Sequence, residues 1–294
     1  MAYLFVFLAV FSNAAKGYCS KRVSGQLQTV RENFTFNAAR NFVCTIFALA
    51  LVLLQSPASV LPQSFTEIAL CLLSGFTMAA FAVCWTLALR TDAYMLVSAS
   101  GSAAFVVPCI IGLTVFQERF TYFKLLAFVC IMVALYFLVH YNILLKGKIT
   151  KGQFALLLLI LLTNGTNQAT QKLYLAYVHG RDASCYTLYT YGFAFLLLLL
   201  LRLFLPNPPQ EMRRPIIRSN LKYLAVMAPA LFGASYFQTL AAAQMDAVIL
   251  YPLSNALNLI AGSTMATLFF KEKMRKSCVV GIILVFIALV CSRF

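Results

Sequence analysis

The side chains of this sequence best suited to chemistry are uncharged amides and hydroxyls set inside apolar runs, with two basic residues among them. Asn164, Asn167, Gln168 and Gln171 recur at helical spacing, and so do Tyr251, Asn255, Asn258 and Gly262. Residues three and four positions apart share a helix face. Amides on one face can bond a neighbouring helix, or they can line a wet cavity that recognises a polar solute through donors and acceptors. Four on one face exceed what packing requires, which favours the cavity.

The two basic residues are Lys16, on one face with Asn13 and Ser20, and Arg40, close to Asn37, Asn41 and Cys44. A Lys or Arg at the centre of a membrane span costs roughly 2.5–3.5 kcal/mol, so such residues usually face the bundle interior and serve a function. The bland alternative is that both lie near span ends and snorkel to lipid headgroups. In a cavity, the Lys16 ammonium would attract a carboxylate or phosphate on a substrate. Weaker candidates are the face Met78, Phe81 and Trp85, the face Ser98, Ser102 and Phe105, and Tyr236 with Gln238. Aromatic stripes serve packing more often than a site. Pro108 and Pro252 can bend their helices, as transporter helices do beside a site.

Other chemistries lack their apparatus. Asp92, Asp246, Glu67, Glu118 and Glu272 all fall at segment ends, so no acid lies deep in an apolar run. The two histidines, His140 and His179, sit near segment ends. There is no H-E-x-x-H, G-x-S-x-G or Walker A pattern, which argues against hydrolysis, metal catalysis and direct ATP use. The nine cysteines form no C-x-x-C pair, so they read as small buried hydrophobes. No cofactor and no metal is expected, and the chain does not read as an enzyme.

The elements that must carry these residues follow from composition. Of 294 residues, 62% are hydrophobic and 11% charged, against roughly 45–50% and about 25% in a soluble domain. The mean hydropathy of +0.86 agrees. The net charge of +15 comes from single residues and short groups between apolar runs, so it reads as loop charge and not as a nucleic-acid surface. A span needs about 20 apolar residues. Ten segments qualify: 2–19, 35–55, 66–89, 93–116, 121–141, 152–178, 183–205, 221–243, 246–269 and 276–293. Met1–Phe11 has no basic flank or cleavage site and reads as the start of the first span. The runs are too long and continuous for barrel strands. The expected class is therefore an all-α integral membrane protein of ten transmembrane helices.

A shift of 154 residues lays the fourth and fifth segments on the ninth and tenth: Asp92 meets Asp246, Ser100 meets Ser254 and Glu118 meets Glu272. A shift of 151 lays the first on the sixth, matching Asn13 with Asn164 and Lys21 with Lys172. Two halves of five spans each, residues 1–145 and 146–294, would insert in opposite senses and form an inverted repeat. Most Lys and Arg residues, from Lys21 and Arg22 to Lys271 and Lys273, fall in loops joining spans 1–2, 3–4, 5–6, 7–8 and 9–10. The positive-inside rule puts those loops in the cytoplasm and both termini outside it.

These residues resemble a known family. Cys84-Trp-Thr-Leu-Ala-Leu-Arg-Thr-Asp-Ala93, then Pro108, Val115-Phe-Gln-Glu-Arg119 and Val133-Ala-Leu135, look like the half-repeat of EamA-type carriers of the drug/metabolite transporter superfamily. Leu240-Ala-Ala-Ala-Gln-Met-Asp-Ala247 and Phe269-Phe-Lys-Glu-Lys273 repeat it. Gln117 and Lys271 depart from the pattern, standing where the family has Gly before the acid, and Gly262 stands in place of the second-half Pro. The resemblance implies two inverted five-helix halves, alternating access, and a central cavity lined by helices 1, 3, 4, 6, 8 and 9. It also implies that the last helix of each half lies at the periphery, where a second copy could bind.

The expected function is a secondary transporter in the plasma (inner) membrane for a small polar metabolite, amino-acid-like or otherwise zwitterionic or anionic. Its partners would be the lipid bilayer, that substrate and a coupling ion. The residues expected at the substrate are Asn13, Lys16, Trp85, Ser98, Asn164, Asn167, Gln168, Tyr236, Tyr251, Asn255 and Asn258. The alternatives are a drug or quaternary-cation exporter of the same fold, which would want a buried carboxylate, and a channel, which would want rings of like residues.

Overall fold

The computed structural model describes residues 1–55, 60–91, 94–118, 121–123, 125–126, 128–130, 132–134, 136–137, 150–206, 215–271, 279–281, 283–284, 287 and 291. Every regular element among them is helical. We label the helices α1 (Ala2–Ser24), α2 (Val30–Gln55), α3 (Phe65–Thr91), α4 (Tyr94–Ser102), α5 (Val106–Thr114), α6 (Lys151–Tyr177), α7 (Ala183–Phe204), α8 (Leu221–Ala242) and α9 (Ala247–Phe270). A tight turn at Ala103–Phe105 joins α4 to α5, and a short turn at Ile216–Ser219 precedes α8. Eight of the ten expected segments are thus seen as helices, with α4 and α5 sharing one. The fifth expected segment is described in part, and its described residues between 122 and 137 are helical; most of the tenth, with Cys278, lies outside the described residues.

Helix starts follow local chemistry. Thr29 Oγ1 accepts from Glu32 N at 3.1 Å while Glu32 Oε2 accepts from Gln28 N and Thr29 N. Ser64 and Glu67 open α3 in the same way, and Thr150 with Gln153 opens α6. Such boxes satisfy donors that the first turn leaves free. The start of α9 is different. Asp246 makes no side-chain cap; instead Glu118 accepts from Ala247 N at 2.9 Å and Val248 N at 2.8 Å. A carboxylate from the turn beyond α5 thus sits on the positive end of the α9 dipole.

Seven stretches, α1, α2, α3, α4 with α5, α7, α8 and α9, are long and apolar enough to cross a membrane. The helix α6 is as long, but its amides lower its hydropathy. Large apolar side chains point outward: Tyr3, Leu4, Phe7 and Phe11 on α1, Leu72 and Phe76 on α3, Leu200 and Leu203 on α7. The opposite face of α1 buries Val6, Ala9, Val10 and Gly17. A helix apolar all round suits a lipid surface, not water.

The most extensive contacts pair α1 with α8, α2 with α7, and α3 with α6 and α7; α9 lies against α1 and α4. At one end, Glu67 Oε1 accepts from Arg181 Nε at 2.8 Å and from Tyr174 Oη at 3.1 Å, with the ion pair almost fully buried. Arg181 also donates to Leu61 O at 2.7 Å and to Tyr189 Oη at 3.1 Å. Burial opposes the Arg181 charge, but the hydrogen bond and charge of Glu67 outweigh it and raise the guanidinium pKa above its ordinary value. Among the described residues, the backbone takes a left-handed conformation at two non-glycine positions, Gln117 (φ 50) and Lys271 (φ 55). Each of the two precedes a glutamate in the sequence, Glu118 and Glu272.

Candidate functional site

The amide stripe of α6 is both interhelical glue and cavity wall. Each amide nitrogen reaches a different helix. Asn164 Nδ2 donates to Gly101 O of α4 at 2.8 Å. Asn167 Nδ2 donates to Ser74 Oγ of α3 at 3.0 Å. Gln168 Nε2 donates to Asn255 Oδ1 of α9 at 3.2 Å, and Asn255 Nδ2 returns a bond to Gln168 Oε1 at 3.1 Å. Gln171 Nε2 donates to Thr239 Oγ1 of α8 at 2.6 Å. A buried polar group left unpaired costs several times what a paired one contributes, so this stripe fixes the register of four neighbours.

These same residues line a central cavity of about 920 Å³, the space at its mouth included. Nine of the eleven expected site residues meet there: Asn13, Lys16, Trp85, Ser98, Asn164, Asn167, Gln168, Asn255 and Asn258. Met78, Phe81, Ser102, Gln171, Gln238 and Gly262 join them. Two expected residues are not in the lining. Tyr251 is fully buried, and its hydroxyl donates to Gln168 O at 2.7 Å and Gln171 Oε1 at 3.3 Å, so it braces the stripe from behind. Tyr236 stacks on Phe232 at 5.7 Å and accepts from Gln55 Nε2 at 3.2 Å.

Phe105 also leaves the face it was expected to share with Ser98 and Ser102. It is buried against the ring of Phe128 at 5.5 Å. The turn at Ala103–Phe105 is the physical reason. A 3₁₀ residue advances about 120° where an α residue advances about 100°, so three of them rotate the following face by about 60°.

Lys16 does not snorkel. Its Nζ donates to Asn13 Oδ1 at 2.6 Å and lies 5.9 Å from the Phe81 ring centroid. Phe81 and Trp85 pack at 5.3 Å. No carboxylate lines the cavity, and Lys16 makes no ion pair among the described residues. Three further polar atoms of lining residues are buried without a partner: the donors Trp85 Nε1 and Gln238 Nε2, and the acceptor Asn258 Oδ1. The lining therefore holds one cation and unmet hydrogen-bonding groups of both kinds. No group of His, Cys, Asp and Glu able to hold a metal ion occurs among the described residues.

The lining residues that sequence reasoning missed are Ala14, Tyr94, Gly101, Leu231, Ala234 and Ser235. Small residues carry no polarity signal. Tyr94 could have been found only through its partner: a Cβ on Gly17 would meet the Tyr94 hydroxyl at 2.0 Å, so glycine at position 17 makes room for it.

No family model matches the chain, and no curated protein matches it. Solved structures do. One crystal structure superposes with a TM-score of 0.74 at 10% sequence identity, over 99% of this chain and 95% of the other. At that identity the likeness is one of fold.

Proposed function

We propose that this chain is a secondary transporter of a small polar metabolite bearing an anionic or zwitterionic group, working by alternating access in the plasma (inner) membrane. The observation that carries the reading is the central cavity itself, whose lining, among the described residues, joins unpartnered donors and acceptors to one cation, Lys16, with no carboxylate. A solute presenting both an anion and hydrogen-bonding groups satisfies that set.

The proposal includes two inverted halves, and three features support it. Exchanging each helix of one half with its counterpart in the other turns the α1–α8 contact into the α6–α3 contact, and both are extensive. Lys21 donates to Leu89 O at 2.7 Å near the end of α3, and Lys172, its counterpart, donates to Ala242 O and Met245 O at the end of α8. Gln117 and Lys271, 154 residues apart, share the left-handed conformation. The halves are not copies in charge: Lys16 stands where the second half has Asn167, which gives the cavity an electrically positive wall.

A quaternary-cation exporter is the second reading. The Phe81–Trp85 pair could face an onium group, but the Lys16 ammonium already lies over Phe81 and would repel it. Uptake by proteoliposomes separates the two. Radiolabelled amino acids and organic acids should accumulate against a preloaded gradient, and Lys16→Gln should reduce that uptake at least ten-fold while leaving the chain folded. Transport of tetraphenylphosphonium unaffected by Lys16→Gln would favour the exporter and sink our reading.

A further inference from the structure

We propose that Tyr94 is the gate of the cavity toward the end of the bundle where Lys271 lies, seated between two glycines and held shut by Phe270. The proposal rests on reading the cavity as an alternating-access site, and it names the contact that must break for that site to open on one side.

The last lining residue on α1 is Lys16, and on α9 it is Gly262. Farther along both helices, toward the end they share, rings take over. Tyr18 of α1 packs on Phe269 at 5.3 Å and on Phe270, the last residue of α9, at 5.8 Å. Tyr94, the first residue of α4, lines the cavity and is 3% exposed, and its ring meets that of Phe270 at 5.2 Å. The exposed Arg22 covers the rim, its guanidinium 5.4 Å from the Tyr18 ring centroid and 5.9 Å from that of Phe270. A chain of rings therefore runs from the cavity to the Lys271 end.

Two glycines make the seat. Gly17 and Gly262 are both buried, and a Cβ on either would collide with α4. At Gly17 it would fall on the Tyr94 hydroxyl; at Gly262 it would fall on Ser98 Oγ, with Tyr94 Cε1 3.7 Å away. Small residues let helix backbones approach this closely inside a membrane. Gly17, Tyr18 and Tyr94 belong to the first of the two halves, whereas Gly262, Phe269 and Phe270 belong to the second. Tyr94 therefore stays with α1 when the halves part, and the face of α9 from Gly262 to Phe270 leaves it. Ring contacts strand no buried donor when they separate, which suits a surface that opens and recloses. One ring serves as both cavity wall and plug, so an occupant of the cavity acts on the gate directly.

The test reads the side from which the cavity is reached. Ala14, a half-buried residue of the lining, becomes the reporter as Ala14→Cys. Sealed vesicles of each orientation are treated with a membrane-impermeant sulfonatoethyl methanethiosulfonate; the chain without the reporter supplies the blank, and Lys271→Cys marks the Lys271 side. The reporter should react faster from the opposite side. Gly17→Ala and Gly262→Ala act as wedges against the closed state alone, so each should raise the ratio of Lys271-side to opposite-side rates roughly ten-fold. Tyr94→Phe should undo the effect of Gly17→Ala, because without the hydroxyl the nearest ring atom to the new Cβ is Cζ at 3.2 Å. A wedge that merely loosened the packing would not be rescued in this way. Equal rates from the two sides in the reporter chain, or wedge variants that keep its ratio, overturn the gate. If the glycine variants do not fold, Phe270→Ala, which adds no clash, should raise the ratio by itself, and an unchanged ratio there overturns the gate. If the reporter reacts from one side only in every variant while Lys16-dependent uptake persists, the gate falls and the transport reading survives. If it reacts from neither side, the gate falls, and without uptake the transport reading falls with it.

Discussion

Glu67 and Arg181 meet at 2.8 Å with side chains 0% and 1% exposed, and the two residues come from opposite halves of the chain. Removing one partner of a buried pair leaves the other charge uncompensated, at a cost of about 3–5 kcal/mol, whereas replacing both by apolar groups is often close to neutral. Glu67→Gln should therefore lower the thermal midpoint of the purified protein more than Glu67→Leu combined with Arg181→Leu. A double variant as unstable as the sum of its singles would mean that the two charges are not coupled.

The reciprocal amide pair of Gln168 and Asn255 gives a second asymmetry. Asn255→Leu strands both ends of the buried Gln168 amide, at about 1–3 kcal/mol for each unpaired group. Adding Gln168→Leu removes the stranded amide, so stability measured by denaturant or heat should partly recover. The ligand affinity of the cavity should not recover, because the polar wall is gone.

Gln117 and Lys271 hold a backbone conformation that costs a non-glycine residue about 1–2 kcal/mol. Glycine takes it without a steric penalty. Gln117→Gly and Lys271→Gly should each raise the unfolding midpoint, and the gains should add, because the two turns lie at opposite ends of α9. A drop in either would show that the side chain has a role that offsets its strain.

Orientation is a separate matter from fold. The charge bias of the sequence predicts that the turn at Lys271 faces the cytoplasm. A membrane-impermeant maleimide should label a single cysteine introduced at Lys271, which is exposed, only in inside-out vesicles. Labelling in intact cells would reverse the orientation and place the Glu67–Arg181 pair on the cytoplasmic side.

The polar stripes were legible because amides are conspicuous in an apolar run, and their helical spacing put them on one face. Helix ends were less so. The apolar run that begins the chain fades near residue 19, yet α1 continues to Ser24, where Lys21 and Arg22 suit the negative end of the helix dipole. Lys16 is thus two turns inside its helix and not at its end. Likewise α2 begins at Val30, behind its capping box, which carries Arg40 deep into the helix. The displacement of Phe105 was not legible at all, since nothing in the composition of Ala103–Phe105 announces a change of helical pitch.

The four bonds of the α6 stripe divide by the half they reach. Asn164 and Asn167 bond Gly101 and Ser74 of the first half, while Gln168 and Gln171 bond Asn255 and Thr239 of the second. One helix therefore carries a seam down its length, welded on one side and merely latched on the other. If the halves swing past each other, only the latched bonds of this stripe must be exchanged, and interhelical bonds of this kind are each worth about 0.6–2 kcal/mol. The share of the barrier that this stripe sets is within reach of the binding energy of one small solute.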